Sequence, residues 1–310
     1  MPSIKPDWYC IVNPHAGSGK TMSEWAVAEK RLTSLSVPYK TSLTNYKFHA
    51  EKLAFEAASH GYRKILAVGG DGSVHEVLNG ILRFCAEQGT APEEFTLSVI
   101  PIGSGNDWIK SLGVPHDTAA VVDLLAAGAF ARQDVVRVET SRGISYMANI
   151  GGVGFDSHVC DRVNALKDSG KRGRTIYLGA LLYTIFHTQS FATRLVADGK
   201  VVFEGEAYSV AFGNGRYSGG GMRQVPLSEI DDGLLDYMVV PKAPLSRILT
   251  QLPRLYNGTV NESGLLLSGR CRVLEMTGEN IVEMDGEIVG SLPLRISMTG
   301  RQLGVLVGNL

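Results

Sequence analysis

Strand-like segments alternate with helix-spaced apolar positions along the N-terminal part of the chain. Strands are predicted at residues 8–12, 39–44, 65–68 and 94–100. Apolar residues recur at helical spacing at residues 23–35, 50–60, 74–82 and 118–131. Strands that alternate with helices are typical of a parallel sheet, which binds its ligands at the carboxyl ends of its strands. The pattern predicts an α/β domain over residues 1–132.

From residue 133 onward the pattern changes to short β-type segments. They lie at residues 135–140, 144–150, 191–197, 201–203, 207–212, 234–240, 272–277, 281–284 and 294–299. Two helical stretches, residues 176–188 and 245–256, interrupt them. Closely spaced strands predict a β-rich, sandwich-like second domain over residues 133–301. Residues 302–310 include a last strand, which we expect to return to the first sheet.

Composition narrows the class of protein. The chain has 310 residues, 44% of them hydrophobic, a mean hydropathy of +0.04 and a net charge of -1. These values are typical of a globular protein, and the absence of a basic excess argues against a dedicated nucleic-acid binder. The four cysteines are far apart, so we expect neither a zinc site nor disulfides. Without a signal peptide or a membrane-spanning run, a cytoplasmic protein that contacts a membrane only peripherally is expected.

Three glycine-rich turns follow predicted strands of the first domain, at residues 13–21, 69–73 and 103–108. Glycine lets the backbone approach a phosphate closely, and a helix N-terminus just beyond adds unpaired N–H groups. The first turn ends like a Walker loop, but Pro14 stands where that motif requires glycine. Trp108 likewise replaces the last glycine of a dinucleotide-binding pattern in the third turn. A phosphate site of another kind is therefore predicted.

Polar residues in these turns are candidate ligands. Asp71 is the one charge in the second turn, and because phosphate repels a carboxylate, we interpret it as a ligand of phosphate-bound Mg²⁺, direct or through water. The alternative is an Asp-Gly turn that serves only the fold. Ser104, Asn106 and Asp107 can bind phosphate, metal or each other, or the last two can simply cap the next helix.

Two acidic segments in the second domain are further candidates. Asp231, Asp232 and Gly233 suit either a hard cation held by oxygens or a plain acidic turn. Asp285 and Glu287 are two carboxylates two positions apart, and near a phosphate site either could accept a proton from a hydroxyl nucleophile. On its own, this segment would be an ordinary hairpin turn.

Six motifs follow one another along nearly the whole chain. They are Asn13-Pro14-x-x-Gly17; Gly69-Gly70-Asp71-Gly72-Ser73 with Glu76; Pro101-x-Gly103-Ser104-x-Asn106-Asp107; Gly154-Phe155-Asp156; the Gly219 triplet with Asp232-Gly233; and Asp285-Gly286-Glu287. Their order resembles the diacylglycerol kinase catalytic family, and within it the soluble bacterial lipid kinases. The resemblance implies a nucleotide-binding α/β domain like that of NAD kinases and a β-rich lipid-substrate domain.

The resemblance also implies roles for individual residues. It implies ATP contacts at Asn13, Thr44, Ser104 and residues 70–76, a catalytic acceptor at Glu287 or Asp285, and a structural Mg²⁺ held by Asp232 and the carbonyls of Glu229 and Leu234. With the turn residues included, the predicted nucleotide site consists of Asn13, Gly17, Thr44, Gly69, Gly70, Asp71, Gly72, Ser73, Glu76, Gly103, Ser104, Asn106 and Asp107. The predicted cofactors are ATP and Mg²⁺, and Asp71 is counted among the catalytic residues.

The lipid acceptor is the open part of this interpretation. Ser73 replaces the usual threonine of the family motif and Ser104-Gly105 departs from the common pattern, and these departures leave the acceptor open. Diacylglycerol is expected, and a sphingoid or other lipid is the alternative. NAD kinases share the Gly-Gly-Asp-Gly turn but generally lack the Asn-Pro-x-x-Gly opening and the late Asp-Gly-Glu. A non-catalytic lipid-binding protein is the remaining alternative. A homodimer is also considered.

The densest basic run lies at residues 167–174 and leads into the apolar stretch 176–186. Each Lys or Arg near an anionic bilayer contributes on the order of 1 kcal/mol, so this run is a candidate membrane contact. The alternative is a basic loop before a buried helix.

Overall fold

The computed structural model describes residues 7–103, 105–169 and 174–308. The chain forms two compact units, one of Met1–Gln133 with Arg301–Leu310 and one of Asp134–Gly300.

Within the described residues, strands and α-helices are labelled in chain order. The strands are β1 (Trp8–Val12), β2 (Tyr39–Leu43), β3 (Lys64–Gly69), β4 (Thr96–Pro101), β5 (Phe130–Thr140), β6 (Gly143–Met147), β7 (Ile150–Gly154), β8 (Phe191–Ala197), β9 (Lys200–Gly213), β10 (Leu235–Pro241), β11 (Leu267–Cys271), β12 (Val273–Gly278), β13 (Ile281–Met284), β14 (Glu287–Ser291) and β15 (Leu294–Leu306). The helices are α1 (Thr21–Ser34), α2 (His49–Ser59), α3 (Asp71–Gln88), α4 (Asp107–Ser111), α5 (Thr118–Ala127), α6 (Phe155–Asp168), α7 (Arg174–His187), α8 (Leu245–Leu249) and α9 (Leu252–Asn257).

The first unit is built on a parallel sheet in the order β15-β4-β3-β1-β2, to which β15 contributes its final residues. β1 is buried along its whole length, and β3 is buried from Ile65 onward, because both are made of apolar residues covered on two sides. Since β4, β3 and β1 are adjacent and parallel, their carboxyl ends meet at one edge. The three glycine-rich turns therefore start side by side.

Helices α2 and α3 pack closely beside this sheet. Alanines and Leu53 form the buried face of α2, and Gly80 of α3 lies against it. A Cβ at Gly80 would overlap the carbonyl oxygen of Glu51, so only glycine permits this approach. Helix α3 ends at Gly89 in the left-handed conformation, the usual helix stop.

The second unit is β-rich, in the strand order β14-β13-β7-β9-β8-β12-β15. The 14-residue strand β9 pairs with β8 through its first half and with both β7 and β10 through its second half. Val210, Phe212, Leu274 and Ile296 are fully buried in the core between these strands. The predicted fold class, an α/β unit followed by a β-rich unit, is confirmed.

Several predicted element boundaries were wrong. The predicted strands 201–203 and 207–212 are parts of the single strand β9, and the segments 294–299 and 302–307 lie in the single strand β15. Residues 245–256 form two short helices, because Pro253 at the start of α9 lacks the N–H that a continuous helix would need. Helix α6 was not predicted.

Two smaller expectations concern cysteines and the membrane. All four cysteines are free thiols, and Cys10, Cys85 and Cys271 are buried. No helix within the described ranges is long and apolar enough to cross a membrane.

Candidate active site

The carboxylate of Asp71 joins two of the glycine-rich turns. Asp71 is the first residue of α3; its Oδ2 accepts from the amide of Asp107 at 3.2 Å and its Oδ1 from the amide of Trp108 at 3.4 Å. Asn106 precedes them in the left-handed conformation, φ 49°, and its amide nitrogen donates to the carbonyl of Gly103 at 3.2 Å. The second and third turns are thus held against each other by a carboxylate at a helix start.

The first turn is locked to the other two by close packing. Asn13 Nδ2 donates to the hydroxyl of Ser73 at 3.3 Å. A Cβ at Gly17, where φ is 56°, would lie 2.5 Å from Cγ2 of Ile102, and one at Gly69 would overlap the Ser73 hydroxyl. Glycine is required at both positions for the turns to meet.

The structure therefore brings most of the predicted nucleotide residues to one edge of the first unit. They are Asn13, Gly17, Gly69, Gly70, Asp71, Gly72, Ser73, Gly103, Asn106 and Asp107. Thr44, which is buried, follows β2, and its amide bonds to the carbonyl of Val12 at 2.9 Å. Ser104 lies outside the described residues, as do Lys171 and Arg172 of the basic run and the side chains of Lys167 and Arg174.

Glu76 contacts a different element from the other residues of its motif. Its two carboxylate oxygens accept from the amides of Phe48 at 3.1 Å and Ala50 at 3.0 Å, at the start of α2. These amides belong to the group that a helix leaves without internal partners. Glu76 thus caps α2 from α3, and a contact with ATP stays a prediction.

The donor set around Asp71 fits a hard cation. Its half-buried carboxylate carries about four lone-pair sites, of which the two amides use one on each oxygen. The same turns also carry the Ser73 hydroxyl and the Asn13 amide oxygen, the latter accepting from the amide of His15 at 3.0 Å. Oxygen ligands of this kind are what Mg²⁺ prefers.

In the second unit, Asp285 is fully engaged with the backbone. Its Oδ2 accepts from the amide of Ala148 and its Oδ1 from the amide of Asn149, both at 2.9 Å, and it is buried. Its own amide donates to the carbonyl of Ile150 at 2.9 Å. The residue has φ 52°, in the left-handed region. Asp285 therefore joins the turn after β13 to the start of β7.

Glu287 is placed differently. It is the first residue of β14, opposite Met284, and is only half-buried. The side chain of Asn164 on α6 donates to the carbonyl of Gly286 at 3.2 Å, which holds the intervening residue of the turn. Glu287 is thus displayed on a turn fixed from both sides.

Two further acids beside this turn were given no role in the sequence analysis. Asp156, at the start of α6, accepts from Gln224 Nε2 at 2.6 Å and from the Ser209 hydroxyl. Burial raises its pKa, although these two donors oppose the shift. Glu283, on β13, is also buried. The sequence signal that could have identified Glu283 is an acidic residue within the apolar run of β13. Asp156 was named only as part of the motif Gly154-Phe155-Asp156.

The loop predicted to hold the structural Mg²⁺ carries its own ion pairs. Asp232 Oδ1 accepts from the amide of Leu234 at 3.0 Å, and Oδ2 pairs with Arg270, which also bonds to Asp236 at 3.2 Å. No group of three or more His, Cys, Asp or Glu that could hold a metal occurs in the part of the chain that is described. The site of Glu229, Asp232 and Leu234 stays a prediction.

Comparison with known families covers almost the whole chain. Residues 7–138 match the model of the diacylglycerol kinase catalytic domain. Residues 148–307 match the model of the YegS C-terminal NAD kinase beta sandwich-like domain. The chain belongs to the diacylglycerol kinase catalytic family. The order of motifs in the sequence had indicated the same family.

Individual members of this family resemble the chain along most of its length. A protein of Mycobacterium tuberculosis named diacylglycerol kinase is 28% identical over 299 residues, 96% of this chain and 93% of the relative. A Pseudomonas aeruginosa protein named as a YegS-like lipid kinase is 30% identical over 263 residues, 83% and 80% of the two chains. The crystal structure of a candidate diacylglycerol kinase from Bacillus anthracis superposes with a TM-score of 0.78 at 26% identity, covering 99% and 98%.

Proposed function

We propose that this chain is an ATP-dependent lipid kinase that transfers the γ-phosphate to a lipid hydroxyl, with diacylglycerol as the favoured acceptor. The family assignment supports the lipid kinase. The observation that carries the nucleotide site is the joining of three glycine-rich turns by Asp71, Asn13 and Ser73. Diacylglycerol is favoured because the M. tuberculosis relative, matched over nearly its full length, bears that name.

The first unit supplies phosphate binding in this proposal. Backbone amides of the turns and of the start of α3 face the phosphates, and glycine at positions 69, 70 and 72 keeps side chains out of the way. Asp71 would hold Mg²⁺, which neutralises charge on the phosphates when bound. Thr44 and Ser104 complete the proposed nucleotide contacts.

Glu287 is the proposed proton acceptor in preference to Asp285. Both oxygens of Asp285 already accept backbone hydrogen bonds, so this side chain holds the turn in place. Glu287 is half-buried and lies beside the fixed turn. It takes the hydroxyl proton as the lipid oxygen bonds to the γ-phosphorus and the bond to ADP breaks.

The lipid reaches the enzyme at a membrane surface, so the proposal places the protein in the cytoplasm with a peripheral contact to the inner face of the membrane. A homodimer and a structural Mg²⁺ at Asp232 belong to the same proposal.

The activity is tested by incubating the chain with Mg²⁺, labelled ATP and one acceptor at a time. The acceptors are diacylglycerol, monoacylglycerol, sphingosine, ceramide, phosphatidylglycerol and NAD. Labelled phosphatidic acid as the main product is expected. Phosphate transfer to sphingosine or ceramide alone would show that a sphingoid lipid, and not diacylglycerol, is the acceptor. Transfer to NAD alone would overturn the lipid proposal. No transfer to any acceptor would favour a binding protein.

Two variants separate the roles of the acids. Glu287→Gln is expected to lower kcat about 10²-fold or more while the urea midpoint stays unchanged. Asp285→Asn is expected to lower the midpoint as well, because an amide NH₂ would face a backbone amide that needs an acceptor, at a cost of about 1–3 kcal/mol. Full activity of Glu287→Gln would remove it as the proton acceptor.

A further inference from the structure

Three carboxyl groups, two of them buried and one half-buried, lie together in the second unit. Glu283 on β13 stands opposite Gly152 on β7. A Cβ at Gly152 would lie 2.8 Å from Cβ of Asp156, so Asp156 covers the backbone opposite Glu283. Asp285 follows Glu283 by two residues. Glu283 and Asp285 are 9% and 7% exposed, and Asp156 is half-buried.

The three groups differ in the donors that surround them. Asp156 accepts from the Ser209 hydroxyl and the Gln224 amide. Asp285 accepts from two backbone amides at 2.9 Å. For Glu283 the structure gives one donor, the amide of Gly286, at the long distance of 3.3 Å.

The number of hydrogen-bond donors bears on whether Glu283 keeps a proton. Hydrogen bonds to a carboxylate favour its charged form, while burial and neighbouring negative charges favour the neutral form. Asp156 and Asp285 each accept from two donors, whereas Glu283 has the single long hydrogen bond from Gly286. Burial, and then the carboxylates of Asp156 and Asp285, hold the pKa of Glu283 well above its usual range.

We propose that Glu283 is a neutral carboxylic acid in the working enzyme and acts as a positioning residue for the turn that carries Glu287. It does so by holding the amide of Gly286, between Asp285 and Glu287. The effect of Glu283 on catalysis rests on the proposed function, because it depends on Glu287 as the proton acceptor. The neutral state of Glu283 does not.

The sign of the pH dependence follows from this arrangement. The titratable groups that act on Glu283 are Asp156 on α6 and Asp285 in the turn, and both raise its pKa. The contribution of neutral Glu283 to the free energy of unfolding is fully present below the pKa of an ordinary glutamate. It is lost as the pH rises through the pKa of Glu283 in the folded protein. Ionisation would add a third negative charge beside the turn and loosen it.

The test compares wild type with Glu283→Gln, which keeps size and an acceptor oxygen but cannot ionise. Thermal midpoints are measured without substrate from about pH 5 to about pH 9, the range in which buried glutamates titrate. The wild-type midpoint is expected to fall relative to that of Glu283→Gln as pH rises. Parallel curves would overturn the proposal whether or not the chain is a kinase.

Kinase assays over the same range test the positioning role. Glu283→Gln is expected to stay within about threefold of wild type near pH 7 and to retain activity on the alkaline side, where wild type declines. Glu283→Leu, which cannot hold the Gly286 amide, is expected to lose about tenfold at every pH. Complete loss of activity in a folded Glu283→Gln would show that Glu283 works ionised, against the proposal.

A measurement on the wild type alone guards against a variant that fails to fold. ¹³C NMR of protein labelled at the glutamate carboxyl carbons reports each protonation state. One glutamate that is still protonated near pH 7 is expected. Ionisation of every glutamate at that pH would overturn the proposal.

Discussion

Asp71 links turns that are distant in sequence, so its side chain has a structural task besides the cation binding proposed for it. Its Oδ2 accepts from the amide of Asp107 and its Oδ1 from the amide of Trp108. Lys110 in turn pairs with Asp107 at 2.5 Å, which fixes the short helix α4. A change at Asp71 should therefore affect both the turns and any cation bound there.

Asp71→Asn is expected to lower kcat about 10²-fold or more, with a smaller loss of stability of about 1 kcal/mol. The amide retains one acceptor oxygen but turns an NH₂ group toward one of the two backbone amides. Lipid phosphorylation and urea unfolding measure the two effects. Asp123→Asn is the matched control, since its half-exposed carboxylate pairs with Arg31 and is expected to change neither quantity. Wild-type turnover in Asp71→Asn would exclude Asp71 from catalysis.

Prediction from sequence succeeded for residues whose role is local and failed where the partner is distant. The glycines of the turns were recognisable because strand, glycines and helix follow directly in the chain. The capping of α2 by Glu76 was not, since its partners Phe48 and Ala50 belong to another element. Whether Asp285 or Glu287 accepts the proton was also open, because the amides that hold Asp285 come from Ala148 and Asn149.

At the scale of elements, Glu76 connects α3, the helix after the second glycine-rich turn, to the start of α2. Phe48, just before α2, is in the left-handed conformation, φ 66°, and its own side chain makes no capping hydrogen bond. Glu76 therefore supplies acceptors for the helix-start amides, in addition to the bond from the Asn45 amide to His49 Nδ1 at 3.0 Å. Glu76 thus has a structural role, the capping of α2, that its motif does not indicate.

Glu76→Ala is expected to lower the free energy of unfolding by about 1–2 kcal/mol, because two helix-start amides lose their acceptor. The KM for ATP is expected to rise if Thr44 contacts the nucleotide. Urea unfolding followed by circular dichroism measures the first effect. Glu56→Ala on α2 itself is the control, since its exposed carboxylate only pairs with Lys52 at 3.8 Å. An equal loss in both variants would contradict the capping role.

Helix α6 shows why an element can be missed. Its residues 155, 159, 163 and 166 are Phe, Val, Val and Leu, a helical spacing. Residues 154–156 were named only as a motif and no helix was predicted after them, although Val159 and Val163 pack with Ala180 of α7. At residues 245–256, by contrast, one helix was predicted from the spacing of apolar residues, and the structure has two short helices because Pro253 interrupts the stretch.

At the scale of the whole molecule, the first unit is assembled from two separate parts of the chain. Residues after 300 pair in parallel with β4, with Gly304 opposite Thr96 and Val305 opposite Leu97. Arg301 pairs with Glu93 at 2.7 Å, and this ion pair lowers the pKa of Glu93 to about 2. The return of the last strand to the first sheet was expected from the sequence.

Removal of residues 301–310 is expected to unfold the first unit. Leu303, Val305 and Leu306 are buried, and burial of three such side chains contributes roughly 5 kcal/mol or more, comparable to the stability of a whole domain. Circular dichroism in urea and ATP binding are the measurements. Gln302→Ala, which keeps the backbone and removes a half-buried side chain, is the control and is expected to behave as wild type. A truncated chain with a wild-type midpoint would contradict this.

The divided first unit also constrains the order of events during synthesis. A ribosome must translate all of residues 134–300 before it reaches the strand that completes the sheet beside β4. At about 5–20 residues per second, the edge of β4 waits for many seconds without its neighbour. An exposed strand edge is a template for pairing with other chains, so chaperone binding to nascent chains is expected to concentrate in this interval.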